Sequence, residues 1–100
     1  MIRQGDCMLI PVDSIPKSAK ATKPRENRHI LLEGEATGHR HSVAAPDVEM
    51  FERDGTIYLK VLTETPLEHQ EHAPIVLGLG NYVMRRQREY WEEETRNVMD

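Results

Sequence analysis

The stretch VEMFERDGTIYLKVLT, residues 48–63, decides the fold of this chain. Asp54-Gly55 separates two apolar-rich runs within it, and an Asp-Gly pair in that setting favours a two-residue turn with positive φ. From Ile57 to Val61 an apolar residue returns at every second position, which is the period of a strand with one buried face. The stretch therefore predicts an antiparallel β-hairpin.

Further short strands are predicted on both sides of this hairpin. They fall at residues 7–12, 29–33, 39–45, 75–79 and 82–91. Turn-like residues separate these runs, and residues 64–74 interrupt the strand pattern because they contain Pro66 and Pro74. Six or seven short strands without a long amphipathic helix predict an all-β fold, either a small barrel or a two-sheet sandwich.

Two segments flank or interrupt the strands without a strand pattern of their own. Residues 14–27 are rich in lysine, alanine, threonine and proline, and they predict a long, mobile N-terminal loop. Residues 92–100 form a short C-terminal tail whose acidic start suits the first turn of a helix. One hundred residues can bury one hydrophobic core but not two, so residues 1–100 are predicted to form a single small β domain.

Composition restricts the class of protein. With 38% hydrophobic and 30% charged residues, the chain has the balance of a globular domain rather than a disordered one. It has no apolar run of about 20 residues and no signal-peptide pattern, so we expect no membrane association. The single cysteine, Cys7, cannot form an internal disulfide, and we expect a cytoplasmic protein of bacterial or phage origin. The net charge of −4 argues against a dedicated nucleic-acid binder.

Four of the five histidines fall in two close pairs. His39 and His41 are two apart on a predicted strand, so their side chains point to the same face. That face also carries Val43, which predicts that it is the inward one. His69 and His72 are three apart and share one side of a turn or helical loop.

Imidazole is the commonest metal-ligating side chain, and two pairs predict one common site. We expect His39, His41, His69 and His72 to bind a divalent transition metal. Zinc is the first candidate, and iron, manganese and nickel suit the same donor atoms. Glu71 lies between the second pair and is a candidate reserve ligand or general base. The absence of cysteine ligands argues against a structural zinc site of the zinc-finger type.

Other interpretations of these histidines stay open. They could have separate structural roles, or they could bind an organic ligand or an anion. His29 stands alone and is predicted to be structural, and Cys7 is predicted to be a small buried hydrophobe.

Two function classes follow from the metal hypothesis. In the first, the protein has an accessory, binding or assembly role, and the strand at residues 82–91 contacts a protein partner or a second copy of the chain. In the second, it is a metal-dependent enzyme in which the ion activates a bound water and Glu71 handles protons.

Three segments together resemble a family of small, functionally uncharacterised bacterial and phage proteins. They are GEATGHRH at residues 34–41, HQEHAPI at 69–75 and RQREY at 86–90. This resemblance implies membership of that family and brings no established activity with it.

The stretch Gly38-His39-Arg40-His41 also resembles the first metal-binding motif of the cupins. The resemblance implies a cupin-like β fold with His39 and His41 as metal ligands. The chain departs from the cupin pattern at residues 42–45, where no glutamate follows the paired histidines. A fold analogy does not by itself establish a function.

Overall fold

The computed structural model of the protein describes residues 1–34 and 36–87, which form ten β-strands. These are β1 (Ile2–Gln4), β2 (Cys7–Val12), β3 (Lys20–Ala21), β4 (Arg28–Glu33), β5 (Arg40–Ala44), β6 (Val48–Arg53), β7 (Thr56–Val61), β8 (Thr65–Leu67), β9 (Ile75–Leu77) and β10 (Gly80–Arg86). A short 3₁₀ turn, Ala45–Asp47, joins β5 to β6. The predicted all-β class is confirmed. Within these two ranges there is no helix of the length and apolar character that a membrane crossing requires.

The larger layer is a six-stranded antiparallel sheet with the strand order β1-β2-β10-β7-β6-β3. It contains the predicted hairpin of β6 and β7, in which Arg53 pairs with Thr56. The two turn residues between them have positive φ, 49° at Asp54 and 80° at Gly55. The predicted hairpin and its turn type are therefore confirmed.

The smaller layer consists of two hairpins, β4-β5 and β8-β9, which a backbone bridge joins. Ser42 in β5 and Glu68, just after β8, exchange two backbone hydrogen bonds of 3.0 and 2.9 Å. These bonds extend the layer to the order β4-β5-β8-β9. The bridge also determines which residues of the two hairpins lie opposite each other.

The hydrophobic core lies between the two layers. The smaller layer contributes Leu31, Val43, Leu67 and Leu77, and the larger one contributes Cys7, Leu9, Val48, Met50, Leu59, Val61 and Tyr82. In the part of the chain that the structure describes, the sheets do not close on themselves, so the sandwich alternative fits and the barrel alternative is wrong. Cys7 is fully buried, as predicted for a small hydrophobe, and burial raises the pKa of its thiol to about 12.

Three strands, β1, β3 and β8, were not predicted. β3 interrupts the predicted loop at residues 14–27, where Lys20 and Ala21 pair with β6 and the Thr22 N–H donates to the Met50 carbonyl at 2.8 Å. A two-residue strand is too short to show a hydrophobic period. β8 contains Pro66, which was interpreted as a strand breaker. The strand forms because Thr65 and Leu67 are buried on either side of the proline, and its bridge to β5 begins beyond it, at Glu68.

The predicted strand at residues 82–91 begins earlier than expected, because β10 starts at Gly80. Its described part lies between β2 and β7, and residues 81–84 pair on both sides. A partner could therefore contact these residues only through a face of the sheet and not through strand addition. Residues 88–91 of the prediction, and the predicted tail at 92–100, lie outside the described residues.

A tight turn before β4 contains an unfavourable residue. Arg25 and Arg28 exchange backbone hydrogen bonds of 2.8 and 2.9 Å, and the two residues between them have positive φ, 51° at Glu26 and 66° at Asn27. Asparagine and glycine adopt this conformation readily, whereas glutamate does so only with strain.

We therefore expect Glu26→Asn to stabilise the protein by about 0.5–1 kcal/mol, measured by urea denaturation. Glu64→Asn is the matched control, because Glu64 is exposed and lies outside the positive-φ region. Equal stability of the two variants would show that Glu26 is not strained.

Candidate functional site

The bridge between β5 and β8 lays the two histidine segments side by side. Because Ser42 lies opposite Glu68 in an antiparallel bridge, His41 comes to lie opposite His69. One residue further along, the Arg40 N–H donates to Oε1 of Gln70 at 2.7 Å. The backbone bridge and this side-chain hydrogen bond thus bring the first histidine pair next to the second.

The four imidazole rings of the predicted site are neighbours. Their centroid separations are 4.3 Å for His41–His69, 4.6 Å for His69–His72, 5.5 Å for His39–His69 and 6.0 Å for His41–His72. We call these four side chains the histidine group. Only His41 is buried, at 5% exposure.

A buried glutamine orients His41. Nδ1 of His41 lies 2.8 Å from Oε1 of Gln4, the last residue of β1. The Gln4 amide nitrogen donates to the carbonyls of Leu67 and Ala73, each at 2.9 Å. Gln4 is 3% exposed and all of its side-chain polar atoms have partners, as a buried amide requires.

Gly5 leaves the space that the His72 ring occupies. Gly5 follows β1, has a φ of +56°, and lies against the His72 ring. A Cβ atom on residue 5 would come within 2.5 Å of Nε2 of His72. The position therefore needs a glycine both for its backbone conformation and for the space it leaves.

The remaining contacts of the histidine group are with the backbone and side chains of residues 69–72. Nδ1 of His69 accepts the backbone N–H groups of Glu71 and His72, at 3.0 and 3.3 Å. Nδ1 of His39 lies 3.4 Å from a carboxylate oxygen of Glu71. Among residues 1–34 and 36–87, no three histidine, cysteine or acidic side chains form a ready metal-binding group as their atoms stand.

A cleft of about 550 Å³ opens beside the histidine group. Its lining residues are Asp6, Leu32, Glu33, Gly34, Thr37, His39, His41, His69, Glu71 and Arg86. The lining contains three carboxylates and one arginine. One of the carboxylates, Glu33, is paired with Arg40 at 2.9 Å and Arg25 at 3.6 Å.

Burial governs the protonation of His41. Desolvation first, and the neighbouring His69 and His72 second, lower its pKa from 6.5 to about 4, whereas Asp6 opposes the shift. The pKa of His69 is also lowered, by desolvation first and by the other histidines second. At neutral pH His41 is therefore an uncharged imidazole.

His29 lies in β4, opposite Val43, and is buried at 5% exposure. Burial lowers its pKa, and Nδ1 has no hydrogen-bond partner within the described part of the chain. Its predicted structural role agrees with this position in the core.

The contribution of the β1–β2 turn was not predicted from the sequence. Gln4, Gly5 and Asp6 all lie against the histidine group or its cleft, although they are far from it in sequence. Polar and glycine residues at a tight turn are ordinary, so the sequence offers no signal that would assign these three to the site.

Comparison with protein families identifies the chain. Residues 3–87 match the model of a family described as a domain of unknown function, DUF8820, and the chain belongs to this family. No curated protein and no solved structure matches it. The resemblance to cupins is thus without support from either comparison.

Gly5→Ala should destabilise the protein more than Gly38→Ala. Both glycines have positive φ, but a Cβ atom on residue 38 meets nothing within 4 Å. We expect about 1 kcal/mol of loss at Gly38 from backbone strain, and a slightly larger loss at Gly5, where the exposed His72 ring must also shift. Urea denaturation measures both losses, and equal losses would mean that His72 does not pack on Gly5.

The stability of the metal-free protein should depend on pH through His41. Because the pKa of His41 is 6.5 in the unfolded chain and about 4 in the folded one, the unfolded state binds more protons between these values. The free energy of unfolding should therefore fall by about 2 kcal/mol as the pH drops through this window. The variant His41→Gln, which cannot titrate, should give a shallower dependence in chelator-treated samples, and an unchanged slope would contradict the assignment.

Proposed function

We propose that the protein binds one divalent transition metal through His39, His41, His69 and His72, with zinc as the first candidate. The observation that carries this proposal is that four of the six ring pairs have centroids 4.3–6.0 Å apart, with His69 in contact with all three other rings. Two imidazoles bound to one zinc ion at about 2.1 Å in tetrahedral geometry have centroids about 5 Å apart. The separations of these four ring pairs lie near this value, which supports the proposal of a shared ion.

The chemistry of the donor atoms supports the same ion class. Metal binding needs unprotonated imidazole, and the lowered pKa values of His41 and His69 keep both neutral at physiological pH. Glu71 next to His39 offers a carboxylate oxygen as reserve ligand or as a hydrogen-bond partner for a ligating histidine. Neutral nitrogen donors with an optional carboxylate suit zinc, iron, manganese and nickel.

Metal binding on this proposal requires side chains to turn. Nδ1 of His69 accepts two backbone N–H groups, so in the neutral ring the hydrogen is on Nε2. His69 would join the ion only after exchanging these bonds for the metal. The rings of His39 and His72 are at least partly exposed. Within the described residues neither ring accepts backbone N–H groups as His69 does, so these two rings would turn first.

The cellular role that we propose is accessory, binding or assembly, in a reducing cytoplasm of a bacterium or a phage-infected cell. The free, buried Cys7 suits that compartment. A protein partner or a second copy of the chain would contact the strand predicted at residues 82–91, through a face of the sheet. We also propose that three sequence segments are a signature of the family: GEATGHRH at residues 34–41, HQEHAPI at 69–75 and RQREY at 86–90.

A metal-dependent enzyme is the second candidate, and the cleft beside the histidine group favours it. A catalytic ion keeps a coordination position open toward a cavity, whereas a structural ion is closed by four protein ligands. The cleft of about 550 Å³ meets His39, His41 and Glu71, so a small molecule could reach the ion there. Glu71, exposed and adjacent, would be the general base.

Elemental analysis of protein purified without a nickel column tests the metal proposal. We expect one equivalent of a divalent transition metal in the wild-type protein and its loss in His41→Ala. Thermal stability should fall with the metal, because an ion bound only by the folded state stabilises it.

His29→Ala is the matched control, because His29 and His41 are equally buried at 5% exposure and only His41 belongs to the histidine group. This control should keep its metal. Wild-type protein that stays metal-free after zinc is added, or His41→Ala with full metal content, would contradict the proposal.

A further inference from the structure

One buried side chain contacts His41 and the backbone on both sides of the second histidine pair. Gln4 accepts from His41, the inward histidine of the first pair, and donates to the carbonyls of Leu67 and Ala73. Those two carbonyls flank the segment that carries the second pair. Gln4 also belongs to β1, in the opposite layer of the sandwich, so it connects the six-stranded sheet to both histidine segments.

These hydrogen bonds fix the tautomer of His41. The Leu67 and Ala73 carbonyls can only accept, so the Gln4 atom that faces them must be the NH₂ group. The atom facing His41 is then the amide oxygen, which can only accept. Nδ1 of neutral His41 therefore carries the hydrogen, and the lone pair is on Nε2.

We propose that Gln4 is the positioning residue of the histidine group: it makes Nε2 the metal-binding atom of His41 and holds the second pair at its distance from the first. This inference rests on the proposed metal-binding function. Ligating histidines generally donate their other ring N–H to an oxygen acceptor, which sets the orientation of the ring and its strength as a ligand. Gln4 supplies that acceptor here.

Glutamine is the side chain that meets all three demands. A carboxylate in its place could accept from His41 but could not donate to the two carbonyls, and it would turn two attractive contacts into repulsive ones. Methionine has a similar length and fills the same space, but it makes none of the three hydrogen bonds. The two replacements therefore separate the bond to His41 from the bonds to Leu67 and Ala73.

The experiment combines nitrogen-15 NMR of the histidine rings in the metal-free protein with zinc titration of the same samples. In the wild-type protein we expect His41 to carry its hydrogen on Nδ1. In Gln4→Met it should populate both tautomers, and zinc affinity should fall about 10–100-fold. In Gln4→Glu the Nδ1 tautomer should persist, while the His69 and His72 signals shift because their segment has lost two hydrogen bonds.

Gln70→Met is the matched control. Gln70 is an exposed glutamine on the same segment, and its amide contacts the Arg40 backbone rather than a histidine ring. It should keep the tautomer of His41 and lose much less zinc affinity than Gln4→Met. An equal loss of zinc affinity in Gln70→Met and Gln4→Met would overturn a specific role for Gln4.

The outcomes separate this inference from the function on which it rests. Hydrogen on Nε2 of His41 in the wild-type protein overturns the inference without any variant having to fold. Unchanged tautomer and unchanged zinc affinity in Gln4→Met also overturn it. If the wild-type protein binds no zinc, the proposed function fails, and the metal-free spectra alone decide whether Gln4 orients His41.

Discussion

The backbone bridge between Ser42 and Glu68 is the constraint on which the rest of the molecule depends. It joins two separate hairpins into the smaller layer of the sandwich, and that layer closes one side of the core. The same two residues precede or follow a histidine directly in sequence, so the antiparallel geometry brings His41 opposite His69. A shift of this bridge by one residue would turn the inward histidine away from its neighbours.

Burial explains how a polar group can lie at the end of an apolar core. Leucine, valine and methionine side chains fill the space between the layers, and Gln4 and His41 lie at the margin of that space with exposures of only 3% and 5%. A buried amide and a buried imidazole each require hydrogen bonds, and here they satisfy each other. His29 and Thr65 contrast with this pair, because each has a buried polar atom without a partner in the described residues.

The β6-β7 hairpin of the larger sheet was predictable because the residues that specify it are adjacent in sequence. Asp54-Gly55 and the alternating apolar residues next to it specify a turn and a strand without reference to the rest of the chain. β3 and β8 were not predictable in this way. β3 has two residues and β8 contains a proline, so neither shows a strand pattern in the sequence, although each pairs with a neighbouring strand.

The same distinction between local and long-range information applies to the histidine group. Spacing within each pair could be interpreted from the sequence, since side-chain direction alternates along a strand and repeats around a turn. Gln4 and Gly5 could not be assigned to it, because their contacts with His41 and His72 join residues that are more than 30 positions apart. Long-range contacts of this kind depend on how the layers pack and leave no pattern in a single sequence.

The central claim is that one cation binds to histidines from both pairs. X-ray absorption at the zinc edge of the loaded protein tests it most directly, because imidazole rings scatter with a distinctive signature beyond the first shell. The account predicts three or four imidazole nitrogens at about 2.0–2.1 Å from the ion. A first shell of oxygen atoms alone, without imidazole scattering, would contradict it.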